Sequence, residues 1–241
     1  MILGIGGLMH DSNACILDEK GNPIFIGEEE RFCREKRRGG FPNYALSYFS
    51  KNFGYDLTDF DTIVFSRKEL PTEKGLKNLV EKPSISIFEY VDHHLAHAAS
   101  TFYPSPFEEA AILTLDGLGD GSSSIFAYGK GNKITELNRI HYLNSIGIIW
   151  MRTGWFLGFQ KDHFFSGAKV MALGAYGTPK YYDLFAGNFS FYSDGTYELK
   201  PKNYPIESIA RFWENEKMFF LKEALGIEPK KYKDEYLQIH F

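Results

Sequence analysis

The stretch Asp92-His93-His94-Leu95-Ala96-His97-Ala98-Ala99-Ser100 sets three imidazoles within five positions, and the run AILTLDGLGD at 111 to 120 places a carboxylate, Asp116, at the end of an apolar segment. Imidazole and carboxylate together are a ligand set for a divalent transition metal. If residues 93 to 103 are helical, His93 and His97 stand at i and i+4, with side chains on one face about 6 Å apart, so that they can share one ion. His94 then points elsewhere. The run Ala110 to Leu115 reads as a buried strand that delivers Asp116 at a sheet edge, 19 residues beyond His97 (116 − 97). Two nitrogens and one oxygen suit Fe(II), Zn(II) or Mn(II) and leave positions for substrate or water. The same His-x3-His spacing also suits a helix N-terminus packed in a core, and that reading stays open.

The elements that position these residues follow from local pattern. Ile2 to Ile5 is a short apolar strand running into glycines, followed by the polar turn His10-Asp11-Ser12-Asn13. Ala14 to Leu17 and Pro23 to Ile26 flank the turn residues Asp18 to Asn22 and read as a hairpin. Pro42-Asn43 opens a helix through Phe49, which Gly54 stops. Residues 61 to 66 read as a strand, 72 to 81 as a polar helix, 84 to 91 as a strand, and 94 to 103 as the histidine helix, ended by Pro104 and Pro106.

Composition narrows the function classes. The chain has 241 residues, 44% hydrophobic and 24% charged, the range of a globular protein with one large or two small domains. A net charge of −4 gives no footprint for nucleic acid or an anionic membrane surface. The basic run Arg31 to Arg38 is interrupted by Cys33 and Glu35 and preceded by three glutamates, the pattern of a solvated face. Glu29 and Glu30 are expected to hold that cationic loop through ion pairs. Two cysteines make no disulfide framework. No apolar run is long enough for a membrane helix, and Met1-Ile2-Leu3 starts a strand without a signal sequence, so a cytoplasmic location is expected.

An internal repeat dictates the architecture. Residues 2 to 22 align without a gap on residues 112 to 132, at an offset of 110 (112 − 2). Identities fall at Ile2/Ile112, Leu3/Leu113, Gly7/Gly117, Leu8/Leu118, Ser12/Ser122, Lys20/Lys130, Gly21/Gly131 and Asn22/Asn132, all strand, loop or turn landmarks. A duplicated strand, glycine turn, hairpin and helix is how the actin-like fold of sugar kinases and heat-shock ATPases is built. The expected fold is therefore α/β and actin-like, with a duplicated β-β-β-α unit and an incomplete second lobe. The expected division is a first lobe at 1–108, the start of a second at 109–179, and an aromatic, charged and partly helical segment at 180–241. Glycine-rich turns in such a fold let backbone amides approach a phosphate without a Cβ in the way.

Several segments carry a family resemblance. They are His10-Asp11-Ser12, Glu29-Glu30-Arg31-Phe32 with Lys36 and Phe41-Pro42, His93 to Ser100, Phe102 to Ala111, and Leu113-Thr114-Leu115-Asp116-Gly117. Ser145-Ile146-Gly147, Leu157-Gly158-Phe159 and Ala168 to Gly177 extend the series. Together they resemble the N-terminal domain of the carbamoyltransferases, the family of nodulation-factor, cephalosporin and tobramycin carbamoylating enzymes. The resemblance covers roughly residues 1 to 190.

It implies an actin-like domain of the tRNA threonylcarbamoyl-transferase type that holds iron. A C-terminal domain makes carbamoyl-adenylate from carbamoyl phosphate and ATP, and the first domain passes the carbamoyl group to a hydroxyl or amine acceptor. By motif match, His93, His97 and Asp116 are the metal ligands, Fe(II) or another divalent ion, and Gly117 and Gly119 approach the nucleotide phosphate. His10 and Asp11 lie where the acceptor meets the carbamoyl carbon. Lys36 and Lys169 are candidate phosphate contacts, although Ser166-Gly167-Ala168 departs from the family pattern before Lys169.

The implied partners are a small-molecule acceptor, carbamoyl-adenylate, and a separate chain carrying the remaining lobe and the adenylate-forming domain. No nucleic acid or membrane partner is expected. Two other readings stay open. One is a non-catalytic scaffold or binding fragment of a carbamoyltransferase. The other is an actin-like kinase or ATPase, which has no need of the His-x3-His helix.

Overall fold

The computed structural model describes residues 1–67, 87–159 and 167–200. The expected helix at 72–81, the first residues of the strand expected at 84–91 and residues 201–241 of the segment expected to be partly helical lie outside them. Contacts divide the chain into two compact units, Met1–His97 and Ala98–Phe241, with the boundary inside one helix.

The first unit is built on a five-stranded sheet: β1 (Ile2–Gly6), β2 (Asn13–Leu17), β3 (Pro23–Glu28), β4 (Thr62–Phe65) and β5 (Ile87–Tyr90), in the order β3-β2-β1-β4-β5. The first three strands run antiparallel as successive hairpins, while β4 lies parallel to β1 and β5 parallel to β4. This order, with helices between β3 and β4, is the actin-like lobe that the β-β-β-α pattern predicts. Alternation fixes the buried face, because successive side chains point to opposite sides of a strand. Leu3 and Ile5 of β1, Ala14 and Ile16 of β2, and Ile63 and Phe65 of β4 are all buried.

Helix α1 (Glu29–Cys33) is a single turn that ends in Arg34 with a left-handed φ of 62°. Helix α2 (Asn43–Phe53) lays Leu46 and Phe49 on the core. It stops at Gly54, whose φ of 79° is available to glycine without a Cβ clash, and the Gly54 amide donates to the carbonyl of Ser50. Phe25, Phe49, Phe53 and Tyr55 stack around it with ring centroids 4.8 to 6.2 Å apart.

Helix α3 (His93–Phe102) crosses the division between the units. In the second unit, β6 (Glu109–Gly119), β7 (Ser122–Lys130) and β8 (Lys133–His141) form an antiparallel sheet in that order. Phe102, at the end of α3, covers Gly129, where a Cβ would lie 2.7 Å from the phenyl ring. Helix α4 (Ile146–Phe156), helix α5 (Gly167–Gly174), helix α6 (Tyr182–Ala186) and the hairpin β9 (Phe189–Phe191) with β10 (Tyr197–Leu199) complete the described part.

The repeat is visible in the ladders themselves. In the first unit Ile2, Leu3, Gly4 and Ile5 pair with Leu17, Ile16, Cys15 and Ala14. In the second, Ile112, Leu113, Thr114 and Leu115 pair with Ala127, Phe126, Ile125 and Ser124. Every number is larger by 110, so the two hairpins share one register. The described helices include none long and apolar enough to cross a membrane.

Candidate metal and transfer site

Helix α3 starts where Asp92 caps it. The buried Asp92 carboxylate accepts from the amides of His94 (3.0 Å) and Leu95 (3.3 Å), satisfying first-turn donors that have no partner within the helix. This fixes the phase of the histidines. His94 is fully buried. His93 is half-buried and His97 exposed, one turn apart, with their Nε2 atoms 3.0 Å apart and ring planes at 81°.

One ligand atom from each of His93, His97 and Asp116 lies within 4.8 Å of the others, the one such group among the described residues. The donor set fits a divalent ion. With metal–nitrogen bonds of ~2.1 Å, a 3.0 Å separation corresponds to a ligand angle of about 90°, that of neighbouring positions in an octahedral two-His, one-carboxylate site. The same separation also suits an N–H···N hydrogen bond between two neutral imidazoles.

Asp116 lies where β6 leaves its ladder. The pairing with β7 runs to Leu115↔Ser124 and resumes at Gly119↔Ser122, so residues 116 to 118 form an irregularity of the kind that re-aims a side chain. The Gly117 amide donates to Asp116 Oδ1 at 2.6 Å. Among the described residues no atom stands within 4 Å of a Cβ at Gly117, so their packing does not demand glycine there. Gly119 is buried and closes the ladder.

His10 and Asp11 occupy the loop between β1 and β2, both exposed, with His10 Nδ1 2.7 Å from Asp11 Oδ2. Asp11 has a φ of 56°, a costly conformation for a residue with a Cβ. The loop holds it there. Gly7, at φ 67°, packs so tightly that a Cβ would lie 2.2 Å from the Asp11 carbonyl oxygen. Asn13 Nδ2 donates to that same oxygen. The buried Ser12 donates from its amide to the Arg38 carbonyl (2.8 Å) and from Oγ to the Gly40 carbonyl (2.6 Å), while the Gly40 amide donates to Leu8 (2.7 Å).

These bonds clamp loop 7–12 to the basic loop 34–40, which carries Lys36 on its exposed side. Glu30 holds the basic loop by accepting from the Arg37 amide (2.8 Å). Glu29 does not serve that loop. Buried, it accepts from the amides of Tyr44 and Ala45 and caps α2, because a carboxylate out of water needs donors and a helix N-terminus supplies them. Lys169 is exposed on α5, with Nζ 5.9 Å from the Phe159 ring.

Two features lay outside the sequence reading, one with a weak signal and one with none. Asp92 directly precedes the helical run, the usual place for a capping residue. Arg152 of α4 is 2% exposed and lies 4.3 Å over the Trp155 ring. Burial pushes its guanidinium down to about 10, still charged at neutral pH, and nothing in the apolar helix around it announces a buried cation.

Comparison with known proteins gives the family. The family model for the carbamoyltransferase N-terminus matches residues 1–89 and 80–237. An uncharacterised Synechocystis protein, sll1178, is 32% identical over 239 aligned residues, covering 82% of this chain and 38% of that protein. The nodulation protein NolNO of Sinorhizobium fredii is 31% identical over 217, covering 79% and 31%. The chain thus spans about a third of the length of these relatives. Among solved structures, YeaZ from Pseudomonas aeruginosa is similar at 13% identity with a TM-score of 0.34, over 57% of this chain and 63% of that one. At that score the fold rests on the sheet order above. The chain belongs to the carbamoyltransferase N-terminus family.

Proposed function

We propose that the protein transfers a carbamoyl group from carbamoyl-adenylate to the hydroxyl or amine of a small acceptor. His93, His97 and Asp116 hold a divalent transition metal in this reading, and Fe(II) suits the two-nitrogen, one-oxygen set. The observation that carries the metal assignment is the convergence of those three ligand atoms within 4.8 Å. When bound, such an ion supplies Lewis-acid polarisation of an oxygen on which negative charge develops.

The protein's own residues do the rest. Asp11 engages Nδ1 of His10, and in this reading the ring's Nε2 accepts the proton from the acceptor. In the balanced step, the acceptor oxygen or nitrogen forms a bond to the carbamoyl carbon. The bond from that carbon to the phosphate oxygen breaks, AMP leaves with the electron pair, and the acceptor's proton goes to His10. Gly117 and Gly119 let the backbone approach the adenylate phosphate, and Lys36 and Lys169 offset its charge. The clamp on loop 7–12 keeps His10 in place, which matters because proximity contributes only if the reacting groups are already oriented. The adenylate comes from a separate polypeptide segment or partner chain, and a cytoplasmic location is part of the proposal.

The test is release of AMP from supplied carbamoyl-adenylate by Fe(II)-loaded protein, with hydroxylamine or water as acceptor. Wild type is expected to exceed buffer hydrolysis, and His10→Asn to lose ~10²- to 10⁴-fold of the enhancement with water, the range of a general base. Release no faster than in buffer would favour the scaffold reading.

A further inference from the structure

We infer that Ser145 and Gly147, at the first turn of α4, are positioning residues that aim the Asp116 carboxylate. The inference deepens the metal assignment and rests on it. Asp116 to Leu118 stand outside the β7 ladder, whereas the equivalent position in the first unit, Gly6, stays paired with Asn13. A strand segment released from its neighbour needs another support, since its backbone groups must find partners and its side chain would otherwise sample several directions.

Helix α4 supplies that support. The buried Ser145 donates from Oγ to the Asp116 carbonyl at 3.0 Å, and the same oxygen caps the helix by accepting from the Ile148 amide at 3.0 Å. One hydroxyl thereby ties the helix start to the ligand residue. Two positions on, Gly147 packs on the Asp116–Gly117 peptide. A Cβ there would lie 2.5 Å from the Asp116 carbonyl oxygen, 2.7 Å from its carbon and 2.8 Å from the Gly117 nitrogen. Those are backbone atoms, so they cannot swing aside as a flexible side chain would. The Gly117 amide is also the donor to Asp116 Oδ1, so any shift of this peptide moves the carboxylate with it. Helix, peptide and carboxylate form one mechanical unit, and the glycine is required by contact, not by backbone conformation.

The test is anaerobic titration with Co(II), whose visible absorption reports ligand geometry, on wild type, His97→Ala, Gly147→Ala, Ser145→Ala and Ser145→Thr. Wild type should bind one Co(II) and His97→Ala none. Gly147→Ala and Ser145→Ala should bind ~10- to 100-fold more weakly with an altered spectrum, as when a residue orienting a ligand is lost, and Ser145→Thr should restore affinity. Binding like wild type in either folded variant overturns the positioning role and leaves the metal site standing. Failure of wild type to bind Co(II) overturns both. Should Gly147→Ala not fold, Ser145→Ala, which removes a single oxygen atom, decides the matter alone.

Discussion

The two units begin with the same hairpin in the same register, yet the same positions have opposite fates. Leu3 and Ile5 on β1 are 0% and 2% exposed, and their equivalents Leu113 and Leu115 on β6 are 54% and 58% exposed. In the first unit β1 is flanked by β2 and β4 and covered by α2, whereas among the described residues β6 pairs with β7 alone. The ends of the hairpins diverge too. The first opens after Gly6 into the loop bearing His10 and Asp11. The second breaks pairing after Leu115, presents Asp116, pairs again at Gly119 and closes through Asp120-Gly121, both with left-handed φ. A shared ladder is thus a scaffold, and the residues of the proposed chemistry lie where each copy departs from it.

The contrast in burial predicts the largest effect. Leu3→Ala should cost about 2–5 kcal/mol in urea unfolding, the range for a buried leucine, and Leu113→Ala about 1 kcal/mol or less. Equal losses would mean that β6 is covered in solution. Next come the residues that cap α2 in the first unit and α4 in the second. Glu29→Ala removes a buried acceptor from two amides of α2 and should cost about 1–3 kcal/mol, whereas Ser145→Ala on α4 should cost about 1 kcal/mol. The order of the two is the check, read from the same unfolding curves.

Gly21 and Gly131 test the equivalence itself. They share a place in the repeat and have φ of 82° and 56°, with no atom of the described residues within 4 Å of a Cβ at either. Alanine at each should cost about 1–2 kcal/mol from backbone conformation alone, and unequal costs would break the parallel. The smallest effect is one of pH. The side chain and amide of Asn22 lower the Asp18 carboxyl below its ordinary 3.8, with the Lys20 amide adding to them. A carboxyl lowered in the folded state lends stability above its unfolded value and loses it as pH falls through the folded one. The melting temperature of Asp18→Asn should therefore differ most from that of wild type at about pH 5 and above and approach it as pH falls below the ordinary 3.8. Tyr128 holds the equivalent position and gives no such window.

How much of this the sequence held depends on the kind of cause. The bounds of α2 were legible because Pro42-Asn43 and Gly54 act locally, and the observed helix is Asn43–Phe53. The hairpins were legible because turn residues and alternation are local as well, and the repeat then carried the register from one copy to the other. Helix α1 was not. It is one turn long, lies in a mixed charge run, and ends on an arginine where glycine would have marked the stop. The helical spacing of His93 and His97 was readable from i to i+4, but the approach of Asp116 depends on pairing across residues far apart in sequence. The turn of Glu29 towards α2 was equally hidden, since the amides it serves lie 15 and 16 residues away. The break in the β6 ladder leaves no mark in composition, and the released segment is met instead by Ser145 and Gly147 of α4.

The central claim is that one helix and one strand end hold a metal ion. Its most direct test is the metal content of protein purified and reconstituted anaerobically with Fe(II), as wild type and as His97→Ala. The account predicts about one iron per chain in the wild type and close to none in the variant, with both folded. Equal content in the two, or none in either, would return His93 and His97 to the role of a hydrogen-bonded pair on an ordinary helix.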